Sequence, residues 1–369
     1  MLGQVLALIT KELLVLWKDP RSRFVLIGPP IIQLLVFGYA ATYDLQDVPL
    51  ALYVEDSGLD ARELAARFEG SPVFRNAQRL ERQADIARVI DSREAALVVH
   101  IGQTFSRDLR VAMPAQVQLV VDGRNSNTAL ILLGYANAII QDFNVAWLRQ
   151  HGRQLPPASL VVRSWFNPNL SSRWFIVPGI VALLTLVVTL VVTALSVARE
   201  RELGTFDQLL VTPLRPVHIL LGKSLAPLLI GLLEGTAIVV VAVLWFRVPL
   251  VGSLGLLYAG MLLYLLAVIG VGLMISSLVR TQQQAILGAF LFLVPSIILS
   301  GFATPIENMS QAIQPLTFIN PMRYFLVIVR GIFLQGMRTE LVLQQLWPLA
   351  LIALASLGAA TWLFRNRMS

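Results

Sequence analysis

Between Ser196 and Lys223 the chain reads SVARERELGTFDQLLVTPLRPVHILLGK, a charged stretch wedged between two long apolar runs. Arg199, Glu200, Arg201, Glu202 and Asp207 stand beside Leu203, Phe206, Leu209 and Leu210. Leu203, Phe206 and Leu210 share a helical face, so the chemistry on offer is recognition: an apolar ridge for a partner's groove, with charges to set its register. An interfacial helix with a solvated charged side has the same pattern, and the residue types leave both readings open. Pro213 and Pro216 are expected to stop the helix before the next apolar run.

A second chemical group lies inside an apolar run. Glu234 falls in LLIGLLEGTAIVV, where an ionisable side chain costs a few kcal/mol unless it is protonated, paired or facing water. It reads as a substrate or proton site or as a neutral, hydrogen-bonded structural group, with Gln33 or its own copy across a dimer axis as candidate partners. Thr185, Thr189 and Thr193 recur every four residues, a small polar stripe that suits helix packing. Glu234, Thr185 and Thr189 are assigned to a candidate substrate path.

Enzymatic chemistry finds little footing. The chain has no cysteine, which excludes disulfides, thiolate metal sites and a cysteine nucleophile. His100 and His151 lack metal-ligand spacing to a second ligand. Asp122 beside Gly123 reads as a turn-former, and no serine sits in a G-x-S-x-G elbow. Gly222-Lys223-Ser224 looks like the end of a phosphate-binding loop, but Val217 stands where that motif needs glycine, and no strand precedes it. ATP chemistry would have to come from another polypeptide, and Lys223 reads as the rim of a span.

The surroundings are those of a membrane protein. Over 369 residues the chain is 56% hydrophobic and 14% charged, with a mean hydropathy of +0.71; soluble domains are about 45–50% apolar and about 25% charged. Residues 43–173 balance 14 arginines against 14 acids, so the whole net charge of +7 belongs to the remainder. No basic run carries interleaved aromatics, which argues against nucleic acid. Six spans are expected: Phe24–Thr42, Trp174–Ala198, Leu221–Phe246, Leu254–Leu278, Ala285–Phe302 and Leu346–Phe364. Of the basic residues flanking them, eleven fall on the side of both termini and four (Arg247, Arg323, Arg330, Arg338) on the other. The positive-inside rule then places both termini in the cytoplasm and residues 43–173 outside. Residues 1–23 read as an amphipathic helix in the inner interface, or as a cytosolic helix packed on a partner. Residues 303–340, broken by Pro305, Pro315 and Pro321, read as an outer re-entrant segment whose Asn320, Pro321, Arg330 and Gly331 are assigned to a candidate outer gate.

Within 43–173, strands are expected at 50–54, 95–101 and 117–121, and helices at 59–68, 83–92 and 127–149, a mixed α/β domain. The fold class expected is therefore membrane α-helical, with six spans and an α/β extracytoplasmic domain between the first two.

Three stretches carry a family resemblance: RERELGTFDQLLVTPLRPVHILLGK (Arg199–Lys223), VDGRNSNTA (Val121–Ala129) with Gly134-Tyr135 after it, and NPMRYFLVIVRGIFLQG (Asn320–Gly336). With the span pattern, the chain resembles the permease subunit of ABC-2 type exporters, in the bacterial drug-efflux-like branch with a large domain after the first span. The resemblance implies a multi-pass inner-membrane subunit with no cofactor of its own, bound to a separate cytoplasmic ATPase that holds ATP and magnesium. It implies a second permease, identical or similar, and an adaptor in the periplasm. The coupling helix that inserts into the ATPase would be Arg199–Pro213, including Gly204, Thr205 and Thr212. Two other classes remain: a membrane-anchored sensor or scaffold whose outer domain binds a ligand, and a secondary transporter using Glu234 as a proton relay.

Overall fold

The structure is a computed structural model; it describes the whole chain except Met1, Asp19, residues 41–44, Gln46, Asn125 and residues 153–165, 168–170, 206–215 and 367–369. It divides into two compact units, one of residues 1–42 and 164–369, the other of residues 43–163.

The smaller unit is built on a four-stranded sheet of β1 (Val48–Val54), β2 (Phe74–Leu80), β3 (Leu97–Ile101) and β4 (Val117–Val121), in the order β2-β1-β3-β4. β1 pairs in parallel with β2 and β3, and β4 runs antiparallel to β3. Helices α3 (Leu59–Glu69), α4 (Asp85–Asp91), α5 (Phe105–Arg110) and α6 (Ser126–Gln150) complete it. Period-two alternation divides each strand between two cores: Leu50, Leu52, Leu97, Val99 and Ile101 face α3 and α6, while Ala51 and Val98 face Val89 of α4. The expected strands and helices are present. β2 and α5 were not expected. β2 reads FRNAQRL, and a polar edge strand carries no apolar alternation to betray it.

The larger unit is helical: α1 (Leu2–Lys18), α2 (Pro20–Ala40), α7 (Ser172–Glu202), α8 (Pro216–Leu244), α9 (Leu254–Leu278), α10 (Gln282–Ile298), α11 (Pro321–Arg330) and α12 (Thr339–Asn366). Helix α7 is the pillar, touching α2, α8, α9, α10 and α11. Glycines set the closest approaches. A Cβ on Gly231 of α8 would stand 2.6 Å from Thr189 Oγ1, and one on Gly272 of α9 would stand 2.7 Å from Thr193 Cβ. Small residues thus let helices approach without side-chain intervention, as apolar solvents require. Pro178, Pro227, Pro295 and Pro348 lie inside helices, which dense neighbouring packing tolerates.

Among the described residues, five helical segments are long and apolar enough to cross a membrane: 128–150, 172–202, 218–244, 254–278 and 339–366; Ile27–Tyr39 and Gln282–Ile298 are shorter. The first of the five belongs to the α/β unit. Its Leu132, Ala136, Phe143 and Trp147 fill the sheet's core, and Trp147 Nε1 donates to buried Asp60 at 2.8 Å. A helix that spends its apolar face on a sheet is a globular-core helix.

Between α10 and α11 lie 3-10 turns at Ile306–Asn308 and Gln314–Ile319, and α11 continues into a π turn at Gly331–Gln335. The segment expected as re-entrant is thus mostly short helix, with α11 enclosed by α7, α9 and α12.

Candidate functional site

The charged stretch does not start a new helix at Arg199. Arg199–Glu202 form the last turn of α7, which is extended past the expected end at Ala198. Gly204 then adopts φ +68 and accommodates the termination, with Leu203 N donating to Arg199 O at 3.0 Å and Gly204 N to Arg201 O at 3.2 Å. Thr205 N returns to Glu200 O at 3.0 Å. Phe206, Asp207, Leu209, Leu210, Thr212 and Pro213 lie outside the described residues. Pro216 opens the next described helix, where proline at a first-turn position has no amide to lose.

Of the four charges of that turn Glu200 is buried, Arg199 and Arg201 are half-buried and Glu202 is exposed, and together they tie the ends of other elements. Glu200 Oε1 takes the Lys11 ammonium of α1 at 2.6 Å, and its Oε2 takes Lys223 of α8 at 2.8 Å. Lys223 is 2% exposed, against its expected place at a rim. Its ammonium also meets Glu12 Oε1 of α1 at 3.1 Å and donates to Ser196 O at 3.2 Å. Two lysines against two glutamates, with serine and carbonyl oxygens around them, satisfy the buried charges mutually. Arg201 donates to Ser277 O at 2.8 Å and to Val279 O at 3.2 Å, at the carbonyl-bearing end of α9. Glu202 Oε2 accepts from Gln282 N at 2.7 Å, at the amide-bearing end of α10, with Arg199 Nε reaching Gln282 Oε1 at 3.5 Å. Each of these two charges has the sign the helix dipole favours.

One turn of α7 therefore holds α1, α8, α9 and α10 at once. Leu203, just beyond it, is 67% exposed. Lys11, Glu12, Ser196, Lys223 and Gln282 were missed as members of this node. Their partners lie far off in sequence, and no local periodicity marks such pairs. The Gly222-Lys223-Ser224 triplet sits in helix, with Gly222 against Leu8 of α1, which rules out a phosphate-cradling loop.

The substrate-path residues are placed on facing helices. Thr185 and Thr189 are fully buried on α7, opposite Gly235 and Gly231 of α8. Thr185 Oγ1 donates back to Val181 O at 2.6 Å. Glu234 follows Gly231 by three residues on α8, and both its carboxylate oxygens are covered and lack a hydrogen-bond partner among the described residues. Gln33 does not reach it.

The gate residues cluster around α11. Asn320 caps that helix by accepting from Met322 N at 3.1 Å and ties it to α10 by donating to Ser296 O at 2.7 Å, with Pro321 at the first helical position. Arg330 lies over Phe175 of α7, 3.8 Å from the ring centroid. Gly331 opens the π turn, where a Cβ would meet Met337 Sδ at 2.7 Å. In the smaller unit Asp122 is the turn-former expected, accepting from Arg124 N at 3.0 Å. His151 stacks on Trp147 at 4.2 Å, and His100 Nδ1 meets Gln118 Oε1 at 3.1 Å.

Residues 21–364 match the model of the ABC-2 family transporter proteins. The chain belongs to that family. Over 369 residues, all of both chains, it is 40% identical to the probable multidrug ABC transporter permease YbhR of Escherichia coli K12. It is 32% identical to the probable multidrug ABC transporter permease YbhS of the same organism, over 99% of this chain and 97% of that one. The inner membrane transport permease YhhJ of that organism is 31% identical, over 73% of this chain and 72% of its own length. This ABC-2 chain is accordingly a multi-pass membrane transport subunit.

Proposed function

We propose that the chain is the membrane-spanning subunit of an ATP-driven exporter that moves drugs or other amphiphilic compounds out of the cytoplasm or the inner leaflet. Six spans are assigned: α2, α7, α8, α9, α10 and α12. The apolar run of α2, Phe24–Ala40, is 17 residues or about 26 Å, at the short end of what crosses a hydrocarbon core. α6 is left out because it is committed to the sheet. Both termini then lie in the cytoplasm of a bacterial inner membrane, and residues 43–163 lie outside, where an adaptor would meet them.

The observation that carries this reading is the last turn of α7. Its charges hold four other elements, and the chain then leaves it through exposed Leu203 toward Pro213. A separate ATPase, holding ATP and magnesium, would grip that outgoing stretch, and closure of two such ATPases would pull on α1, α8, α9 and α10 together. A second permease completes the pathway. Thr185, Thr189 and Glu234 lie along it, and Asn320, Pro321, Arg330 and Gly331 govern its outer end. The names of the relatives support drugs as the cargo.

Leu203→Asp tests the coupling. The substitution alters an exposed side chain, so folding of the bundle is expected to be retained. Copurification of a nucleotide-hydrolysing subunit from native membranes should fall at least tenfold; unchanged copurification and unchanged substrate-stimulated hydrolysis would place the coupling elsewhere.

A further inference from the structure

Glu234 lies 11 residues along α8 from the charge node at Lys223 and 10 before the helix ends at Leu244, near the middle of that span. The other covered carboxylates described in this bundle have cations against them: Glu200 has two lysines, and Glu12 has Lys223. Both Glu234 oxygens are covered and have no hydrogen-bond partner among the described residues. A second unpartnered oxygen lies close by. Thr189 Oγ1 is buried without a partner, and it approaches to 2.6 Å from where a Cβ of Gly231, one turn before Glu234, would stand. These covered oxygens stand on facing helices about one turn apart and do not bond one another, and an unpartnered carboxylate inside a span points to function.

The flank beside the carboxylate is apolar. Ile230, Ala237 and Val241 follow Glu234 along one side of α8 at i−4, i+3 and i+7, with Ala237 exposed and the other two half-buried. A positively charged head with an apolar body would find a carboxylate and hydroxyl for the first and this strip for the second.

We propose that Glu234, with the Thr189 hydroxyl on the facing helix about one turn away, is the recognition point for the cationic head of an exported amphiphile. The proposal deepens the exporter reading and rests on it for the word "exported". Recognition itself does not depend on that reading.

Two ions of nearly equal size and shape, tetraphenylphosphonium and tetraphenylborate, separate charge from hydrophobicity. The full-length chain in phosphatidylcholine nanodiscs should bind tetraphenylphosphonium saturably. Glu234→Gln should weaken that binding at least tenfold without weakening tetraphenylborate, and Glu234→Asp should stay within about threefold of the parent. Thr189→Val should weaken the cation two- to fivefold. Ala237→Trp, which keeps the carboxylate and blocks the flank, should also lose the cation, so the test does not hang on one variant's folding. Saturable cation binding absent from the parent, unchanged in Glu234→Gln, or lost together with the anion would overturn the proposal. If the binding pattern holds but cells lacking the chain gain no sensitivity to any amphiphile, the exporter reading fails and the cation site stands. If those cells are sensitised and Glu234→Gln restores resistance to cationic compounds in full, the site fails alone.

Discussion

Lys223 shows how much one side chain can hold and how little of that is visible in the sequence around it. As a cation near the start of an apolar run it invites the reading of a solvated rim. Its partners Glu12 and Ser196 come from elsewhere in the chain, and only the fold brings them within 3.1 and 3.2 Å. Removing one member of a buried, mutually satisfied set strands the others, at about 3–5 kcal/mol. Lys223→Met should therefore lower the melting temperature of the detergent-purified chain markedly, and Lys223→Met with Glu200→Met should recover part of that loss. A double variant as damaged as the sum of the two singles would show that the pair is uncoupled. Asp122 offers a milder case in the α/β unit. Hydrogen bonds from the Arg124 guanidinium and amide hold its carboxyl down to about 2 from an ordinary 3.8. A depressed carboxylate contributes stability that is complete above its unfolded value and is lost as pH falls through its folded one. Amide exchange in β3 and β4 should accordingly be faster in Asp122→Asn than in the parent at pH 6, with the difference shrinking as pH falls below the ordinary 3.8 and vanishing below the folded value.

Among the elements, four of the six expected spans were legible because hydrocarbon demands long apolar runs, and the sheet's central strands because burial on both faces demands β-branched and aliphatic residues. What escaped had a physical reason in each case. β2 is a polar edge strand. α7 runs on through Arg199–Glu202 because its charges find partners on neighbouring helices. Pro216 opens α8 because proline suits a helix start. Glu234 stood out from the sequence because nothing polar surrounds it, whereas the node at Glu200 stayed hidden among charges that looked solvated. The glycines of the bundle give a ranked prediction. A Cβ at Gly270 of α9 would meet the α12 backbone, Leu357 N, at 2.7 Å; one at Gly235 of α8 would meet the flexible Met261 Sδ at 2.6 Å. Gly270→Ala should thus cost the full overpacking penalty of about 1–3 kcal/mol or more, and Gly235→Ala distinctly less. Thermal unfolding of the two variants checks the order, and equal losses would contradict a backbone-limited contact.

As a whole, the molecule is a multi-pass transport subunit proposed to be moved through one turn of its central helix. Family membership makes the chain a transport subunit, and the ties from that turn to α1, α8, α9 and α10 give a force a route through it. The source of the force decides the matter most directly. Inside-out proteoliposomes holding the purified chain, alone or with the nucleotide-hydrolysing subunit that copurifies with it, would be assayed for uptake of a fluorescent amphiphile. Uptake that requires both that subunit and ATP is the result expected. Concentrative uptake by the chain alone, indifferent to ATP, would contradict it.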